Sequence, residues 1–220
     1  IELRILAHFS GDAAMVDAFT SGQDIHTRTA AEVYGVPLYE VTPAMRSASK
    51  AVNFGIVYGI SDFGLARNIG VSRKEAAEFI ARYFERYPGV KRYMDKAVAD
   101  GKALGYAETM FGRRRPLPEL SSSNFNTRAF WERAAMNTPV QGTAADIIEP
   151  AMVHVHRELS ARGVAAQPVL QVHDELVVES PPEEREAVRA LLIECMENVA
   201  KLRVPLDADV HDGRTWYDAK

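Results

Sequence analysis

Apolar residues recur at helical spacing through most of the chain and give way to alternating, β-rich runs near its end. Positions 1, 5, 6 and 9 form a helical stripe that Ser10-Gly11 stops. Asp24 stands before Ile25–Tyr34 as an N-cap, and Gly35-Val36-Pro37 ends that helix. Thr42-Pro43 starts a run from Ala44 to Tyr58 with no proline, and no glycine before Gly55. Ser72 opens an amphipathic helix to Tyr87, striped by Ala76, Phe79, Ile80 and Tyr83. Pro88-Gly89 breaks it, and a further helix runs to about Leu104. Tyr106–Met110 reads as a short strand between a loop at Gly105 and another at Gly112–Pro116. Two helices follow, 126–137 and 139–162, the second starting at Pro139 and stopping at Gly163. Val169–Val172 and Leu176–Glu179 flank His173-Asp174-Glu175 with hairpin spacing. Pro181-Pro182 starts a helix to about Ala200, and Leu206–Val210 reads as a last strand. A helix-rich first half thus precedes a strand-bearing second half, which predicts an α+β fold. There is no internal repeat or low-complexity segment.

Composition narrows this only a little. At 220 residues, with 47% hydrophobic and 25% charged, the chain has enough apolar material for one large or two modest cores. No apolar run approaches the roughly 18 residues that cross a bilayer, and no basic-then-apolar start reads as a signal peptide. The single cysteine, Cys195, excludes an internal disulfide and suits a reducing compartment, so a cytoplasmic location is expected. It lies among Leu191, Leu192 and Met196 and reads as packing rather than a reactive thiol.

The net charge of −4 hides an uneven distribution. Residues 82–133 carry eleven basic and six acidic side chains, a net +5. Residues 173–220 carry six basic and twelve acidic ones, a net −6. A basic middle and an acidic end suit a phosphate-tracking surface beside a cation-binding centre, although many neutral enzymes are equally patchy.

The richest segment is Arg46-Ser-Ala-Ser-Lys50-Ala-Val-Asn53-Phe54-Gly55-Ile-Val-Tyr58-Gly59. On a helix, positions 46, 50, 54 and 58 form a ridge that drifts by about 40° per step and spans roughly 18 Å. Two cations come first and two aromatic rings after them. Cations suit a polyphosphate and flat rings suit a base, so one helix is able to hold a nucleotide end to end. An ordinary amphipathic helix, with solvated cations and packed rings, explains the same spacing.

This run resembles the family A DNA polymerase motif R-x-x-x-K-x-x-x-F-G-x-x-Y-G, with every fixed position present. The similarity covers essentially the whole chain. Ile1-Glu2-Leu3-Arg4 resembles the tail of motif A, D-Y-S-Q-I-E-L-R, and Gln171-Val172-His173-Asp174-Glu175 matches motif C. Asp24–Thr27, Thr109–Arg115 and Asn137–Asp146 are similar to further family blocks.

The resemblance implies a palm with an antiparallel sheet, built from 1–20 and 106–220, and a helical fingers insertion at 21–105. It implies template-directed DNA synthesis, with primer-template DNA and a deoxynucleoside triphosphate as partners and two Mg²⁺ ions as cofactors. By the same likeness Arg46, Lys50 and His26 hold the triphosphate, and Lys50 donates a proton to the leaving group. Phe54 stacks near base and sugar, Tyr58 guards the templating position, and Glu2 disfavours a 2′-hydroxyl. Asn137, Gln141, His173 and, less directly, Arg133 meet the DNA near the primer terminus. Asp174 is the metal ligand and Glu175 an accessory carboxylate; without the family context, a His-Asp-Glu turn reads as an ordinary solvated acidic turn.

One departure is evident. The family's motif A aspartate falls four positions before Ile1, so the chain alone is expected to be inactive and to need that segment and a thumb. A monomer that binds no membrane is expected. The rival readings are a non-catalytic nucleic-acid-binding module derived from a polymerase, an unrelated metal-dependent hydrolase, and a phage-type RNA polymerase. The hydrolase leaves the 46–58 ridge unexplained, and by family likeness Glu2 and Phe54 favour deoxynucleotides over the RNA polymerase.

Overall fold

A computed structural model describes residues 1–219. Its order is α1 (Glu2–Ser10), α2 (Ala13–Thr20), α3 (Ile25–Tyr34), α4 (Pro43–Val57), α5 (Asp62–Ile69), α6 (Arg73–Arg86) and α7 (Pro88–Leu104). Then come β1 (Tyr106–Glu108), β2 (Arg114–Pro116), α8 (Phe125–Ala161), β3 (Gln167–Val172), β4 (Glu175–Glu179) and α9 (Arg185–Glu197). Each strand pair, β1 with β2 and β3 with β4, is antiparallel. The class is α+β, as expected. Two compact units divide the chain, one spanning Glu2–Thr143 and the other Ile1 together with the chain from Ala144 onward.

Side-chain caps set most helix starts in the first unit. Asp24 accepts from the backbone N–H groups of His26 and Thr27, Thr42 from Met45, and Ser72 forms a full capping box with Glu75. Two helices lie where no element was read. Asp12 caps α2 through the N–H groups of Ala14 and Met15, and Met15, Ala18 and Phe19 bury its apolar face. Ser61 caps α5, which ends at Gly70 in the left-handed conformation. Both are eight-residue helices, too short to show a sustained stripe.

The break expected before Pro139 does not occur: α8 runs unbroken through it. Pro139 has no N–H for the Ala135 carbonyl, and its ring crowds the preceding turn. In the same turn the Tyr93 hydroxyl of α7 donates to Met136 O at 3.2 Å. Arg115 adds a bond from Nη1 to Thr138 Oγ1 at 3.2 Å.

The strand expected at 106–110 is shorter, and the Arg114–Pro116 part of the expected loop is its pairing partner. The predicted strand at 206–210 is absent, because no neighbouring strand pairs with it among the described residues. It is held instead by Ala208 N donating to Glu197 Oε1 at 3.0 Å and by Arg189 donating to Val210 O. In this second unit Val155, Leu159, Ala166, Val188, Leu191, Leu192 and Cys195 form the core, with Leu176, Val178 and Val210 packed against it. Cys195 is a buried packing residue, as its neighbours suggested.

Candidate nucleotide-binding helix and acidic hairpin

The ridge forms, with a graded environment. Arg46 and Lys50 are exposed on α4, whereas Phe54 and Tyr58 are half-buried. Tyr58 is the C-cap rather than an interior residue. Beyond it Gly59 turns at φ 66, and a Cβ there would meet Met136 Cε at 2.8 Å and Arg133 Cγ at 2.9 Å. The stem of Arg133 therefore lies against Gly59, just past the end of α4. Arg133, Asn137 and Gln141 follow at four-residue intervals on one face of α8, with Arg133 and Gln141 exposed.

Neighbouring elements hold the ridge at three points. At its cationic end Arg46 donates to Asp24 through Nε at 2.7 Å and Nη2 at 3.3 Å. Burial alone would raise Asp24, but the hydrogen bonds from Arg46 and Thr27 outweigh it and bring the carboxyl down to about 2. In the middle, His26 on α3 lies 5.8 Å from Phe54 between ring centroids, and its Nδ1 is 3.0 Å from Asn53 Nδ2. Burial lowers the His26 pKa, and the charges of Arg46 and Lys50 add to that against the opposing effect of Asp24. At the aromatic end the Tyr58 hydroxyl donates to Glu2, with both carboxylate oxygens at 2.8 Å. Burial and that carboxylate push the hydroxyl up to about 12, so it remains a donor at neutral pH.

In the second unit, the β3–β4 turn presents His173 and Asp174, and Val172 pairs with Glu175. His173 takes φ 53, a left-handed value rare for a residue with a side chain. Gln171 Nε2 donates to its carbonyl at 2.9 Å and braces the turn. Asp174 projects with 59% of its side chain exposed, 3.9 Å from the nitrogen of Ile1. Glu175 accepts a hydrogen bond from Trp216 Nε1. No group of three or more His, Cys, Asp or Glu side chains able to cage a metal occurs among the described residues. Asp174 fits one oxygen position of a hard divalent cation, which would complete its shell from water, phosphate or other donors.

The sequence model for DNA polymerase family A matches residues 1–218. The chain belongs to that family. It is 56% identical to DNA polymerase I of Bacillus caldotenax over 220 residues, covering all of this chain and 25% of that protein. Against DNA polymerase I of Bacillus subtilis strain 168 the identity is 54%, again over 25% of the relative. The chain thus spans about a quarter of the length of these curated relatives. Among solved structures, the polymerase domain of Pol1 from M. smegmatis, in complex with DNA primer-template and dNTP, superposes with a TM-score of 0.96. That match is 43% identical and covers 100% of this chain and 39% of the other.

Three residues of the chain bear on these sites yet carry no role in the motif reading: Asp24 on Arg46, Asn53 on His26, and Trp216 on Glu175. Asp24 reads as a cap and Asn53 falls on an unfixed position of the motif, and the partners Arg46 and His26 lie 22 and 27 residues away along the chain. No local pattern encodes such a distance. No helix among the described residues is long and apolar enough to cross a membrane.

Proposed function

We propose that this chain is the nucleotide-binding and part of the metal-binding machinery of a template-directed DNA polymerase, with fingers at 21–105 and palm at 1–20 and 106–220. The observation that carries the reading is the graded ridge of α4, charged and exposed at Arg46 and Lys50, aromatic and half-buried at Phe54 and Tyr58. Family membership and the DNA- and dNTP-bound state of the M. smegmatis relative support it.

The reaction is attack of a primer 3′-hydroxyl on the α-phosphorus of a deoxynucleoside triphosphate, forming the new phosphodiester bond and releasing pyrophosphate. Arg46, Lys50 and His26 hold the triphosphate and offset the charge that gathers on the leaving oxygens. Lys50 is the proton donor to pyrophosphate, since an arginine hardly deprotonates. Phe54 stacks against base and sugar. Tyr58 closes the templating position, and Glu2, fixed by the Tyr58 hydroxyl, occupies the space a 2′-hydroxyl would need. Asn137, Gln141 and His173 and, less directly, Arg133 read minor-groove acceptors shared by all base pairs, which positions a primer without selecting sequence.

Asp174 would hold Mg²⁺, with Glu175 as an accessory carboxylate. Such ions, when bound, activate the attacking hydroxyl and stabilise the leaving oxygens. Two ions need two separated carboxylate anchors and Asp174 is the one assigned, so the 220-residue chain alone is expected to lack polymerase activity. A primer-extension assay on the isolated chain tests that, and robust Mg²⁺-dependent synthesis would refute it. In the full-length protein Asp174→Ala should abolish extension while DNA binding persists; unimpaired extension would remove the metal assignment.

A further inference from the structure

The His26 imidazole touches two things of different kinds. Outward, it shares its surroundings with the Arg46 and Lys50 cations of α4 and the Asp24 carboxylate at the start of α3. Inward, its Nδ1 faces the amide of Asn53, which is fully buried. That amide is not isolated. Asn53 Nδ2 also donates to Thr29 Oγ1 at 3.2 Å, the Thr29 hydroxyl lies 3.3 Å from Asn53 Oδ1, and Tyr87 Oη is 3.4 Å from Thr29 Oγ1. Thr29 and Tyr87 are fully buried as well. A buried polar network of this kind is costly to leave half-satisfied, so it tends to hold one arrangement.

An amide NH₂ only donates, so the ring nitrogen it meets must accept. We infer that Asn53 is a positioning residue that fixes neutral His26 as the Nε2–H tautomer, so that Nε2 always presents a proton toward the triphosphate. This rests on the proposed contact between His26 and phosphate, and it names the atom that makes the contact and the residue that controls it. A neutral imidazole left to itself exchanges between tautomers, and the one with a bare Nε2 lone pair would repel a phosphate oxygen. With Nδ1 occupied by a donor, the ring donates through Nε2 without needing to be charged. Burial favours that neutral form, and Arg46 and Lys50 favour it further against Asp24.

The substitution Asn53→Asp makes the inference specific. A carboxylate accepts where the amide donates, so it would move the ring proton to Nδ1 and favour imidazolium. Above its raised pKa the variant's His26 would offer phosphate a lone pair; below it, both nitrogens would donate. Nucleotide affinity in Asn53→Asp should therefore fall as pH rises through that pKa, by roughly tenfold. A packing role alone would give no such pH dependence.

The test uses full-length protein labelled with ¹⁵N at histidine rings, with His26→Gln to assign the signal. Long-range ¹⁵N–¹H correlation of the unmodified protein should show neutral His26 with its proton on Nε2. A proton on Nδ1 overturns the inference, whatever any variant does and whether or not Asn53→Asp folds. Where Asn53→Asp folds, an unchanged tautomer and pKa overturn it too. Binding of dATP is measured on the same samples across pH 6–9, spanning the ordinary His value of 6.5. If the tautomer responds as stated while dATP affinity responds neither to Asn53→Asp nor to His26→Gln, control by Asn53 stands and the phosphate contact of His26 fails.

Discussion

The hydroxyl of Tyr58 rests against both carboxylate oxygens of Glu2, 2.8 Å from each, and ties the end of α4 to the first turn of α1. The two residues are 56 positions apart, so the bond fixes the aromatic end of the ridge on a separate element. One phenolic proton is shared between two acceptors, and a hydrogen bond to a charged group that is only half-buried contributes about 1 kcal/mol. Tyr58→Phe should lower unfolding free energy by that amount in urea titrations at neutral pH. The sign of the pH dependence follows from the raised pKa. Stability from Tyr58 is fully present below its ordinary value of 10.0 and is lost as pH climbs toward about 12. The gap between wild type and Tyr58→Phe should therefore hold constant to pH 10 and shrink above it. A gap that widens there would contradict the bond.

At the other end of the ridge, Asp24 occupies the guanidinium that a triphosphate would need. Asn is as good an N-cap as Asp, so Asp24→Asn keeps the start of α3 while removing the charge that holds Arg46. Nucleotide affinity of the full-length protein should rise severalfold in the variant at low salt, with a smaller gain at high salt, where screening already weakens the Arg46–Asp24 pair of the wild type. Unchanged or weaker binding would show that Arg46 is not held back by Asp24. Asp24 also predicts an acid effect. Its stabilisation is complete above its ordinary 3.8 and is lost as pH falls to about 2. Because the Asp24 side chain is 39% exposed, that contribution is no more than about 1 kcal/mol. The slope of stability against pH in this window should flatten in Asp24→Asn.

These contacts mark where sequence reasoning reached and where it stopped. The starts of α3, α4 and α6 were legible because Asp24, Thr42 and Ser72 cap them locally, within three residues. The β3–β4 hairpin is legible because two β-rich runs flank the short polar stretch His173-Asp174-Glu175, of which Glu175 joins β4. Pro139 misled, since α8 runs through it unbroken and is held on contacts from distant residues, such as the Tyr93 hydroxyl on Met136 O, 43 residues apart. Likewise, the segment around 206–210 has the composition of a strand, but pairing depends on a neighbour, and none is present among the described residues. The φ 53 of His173 has no signature in composition, as glycine or asparagine would be the usual occupant.

Asp12 and Gly89 make a second long-range pair whose tightness is measurable. The buried Asp12 carboxylate caps α2 and also accepts from Gly89 N at 2.7 Å in the first turn of α7. A Cβ on residue 89 would meet Asp12 Cβ at 2.8 Å and Asp12 Cα at 2.9 Å, so backbone as well as side chain would have to move. Alanine is the better helix former by about 1 kcal/mol, yet overpacking costs about 1–3 kcal/mol and should win. Gly89→Ala is expected to destabilise on balance in calorimetry. Asp12→Ala should cost more, about 2–4 kcal/mol, because a cap is lost and the buried Gly89 N–H is left without its acceptor. A stabilised Gly89→Ala protein would mean that α7 moves away from Asp12 without penalty.

Trp216 offers a view of the hairpin tip that does not depend on catalysis. Its indole N–H donates to Glu175, the residue next to Asp174, and the only other tryptophan is Trp131, whose Nε1 lies 3.3 Å from Glu119. In a Trp131→Phe background of the 220-residue chain, its indole fluorescence comes from Trp216. If Asp174 collects a divalent cation, paramagnetic Mn²⁺ should quench that emission saturably, with half-effect on the order of millimolar for a site with so few carboxylates. Excess Mg²⁺ should reverse the quenching by competing for the same oxygens. Asp174→Asn should remove the saturable component, whereas Asp12→Asn, a carboxylate of the other unit, should leave it in place. Quenching that survives Asp174→Asn would assign the cation to other oxygens and leave the hairpin tip as a solvated acidic turn.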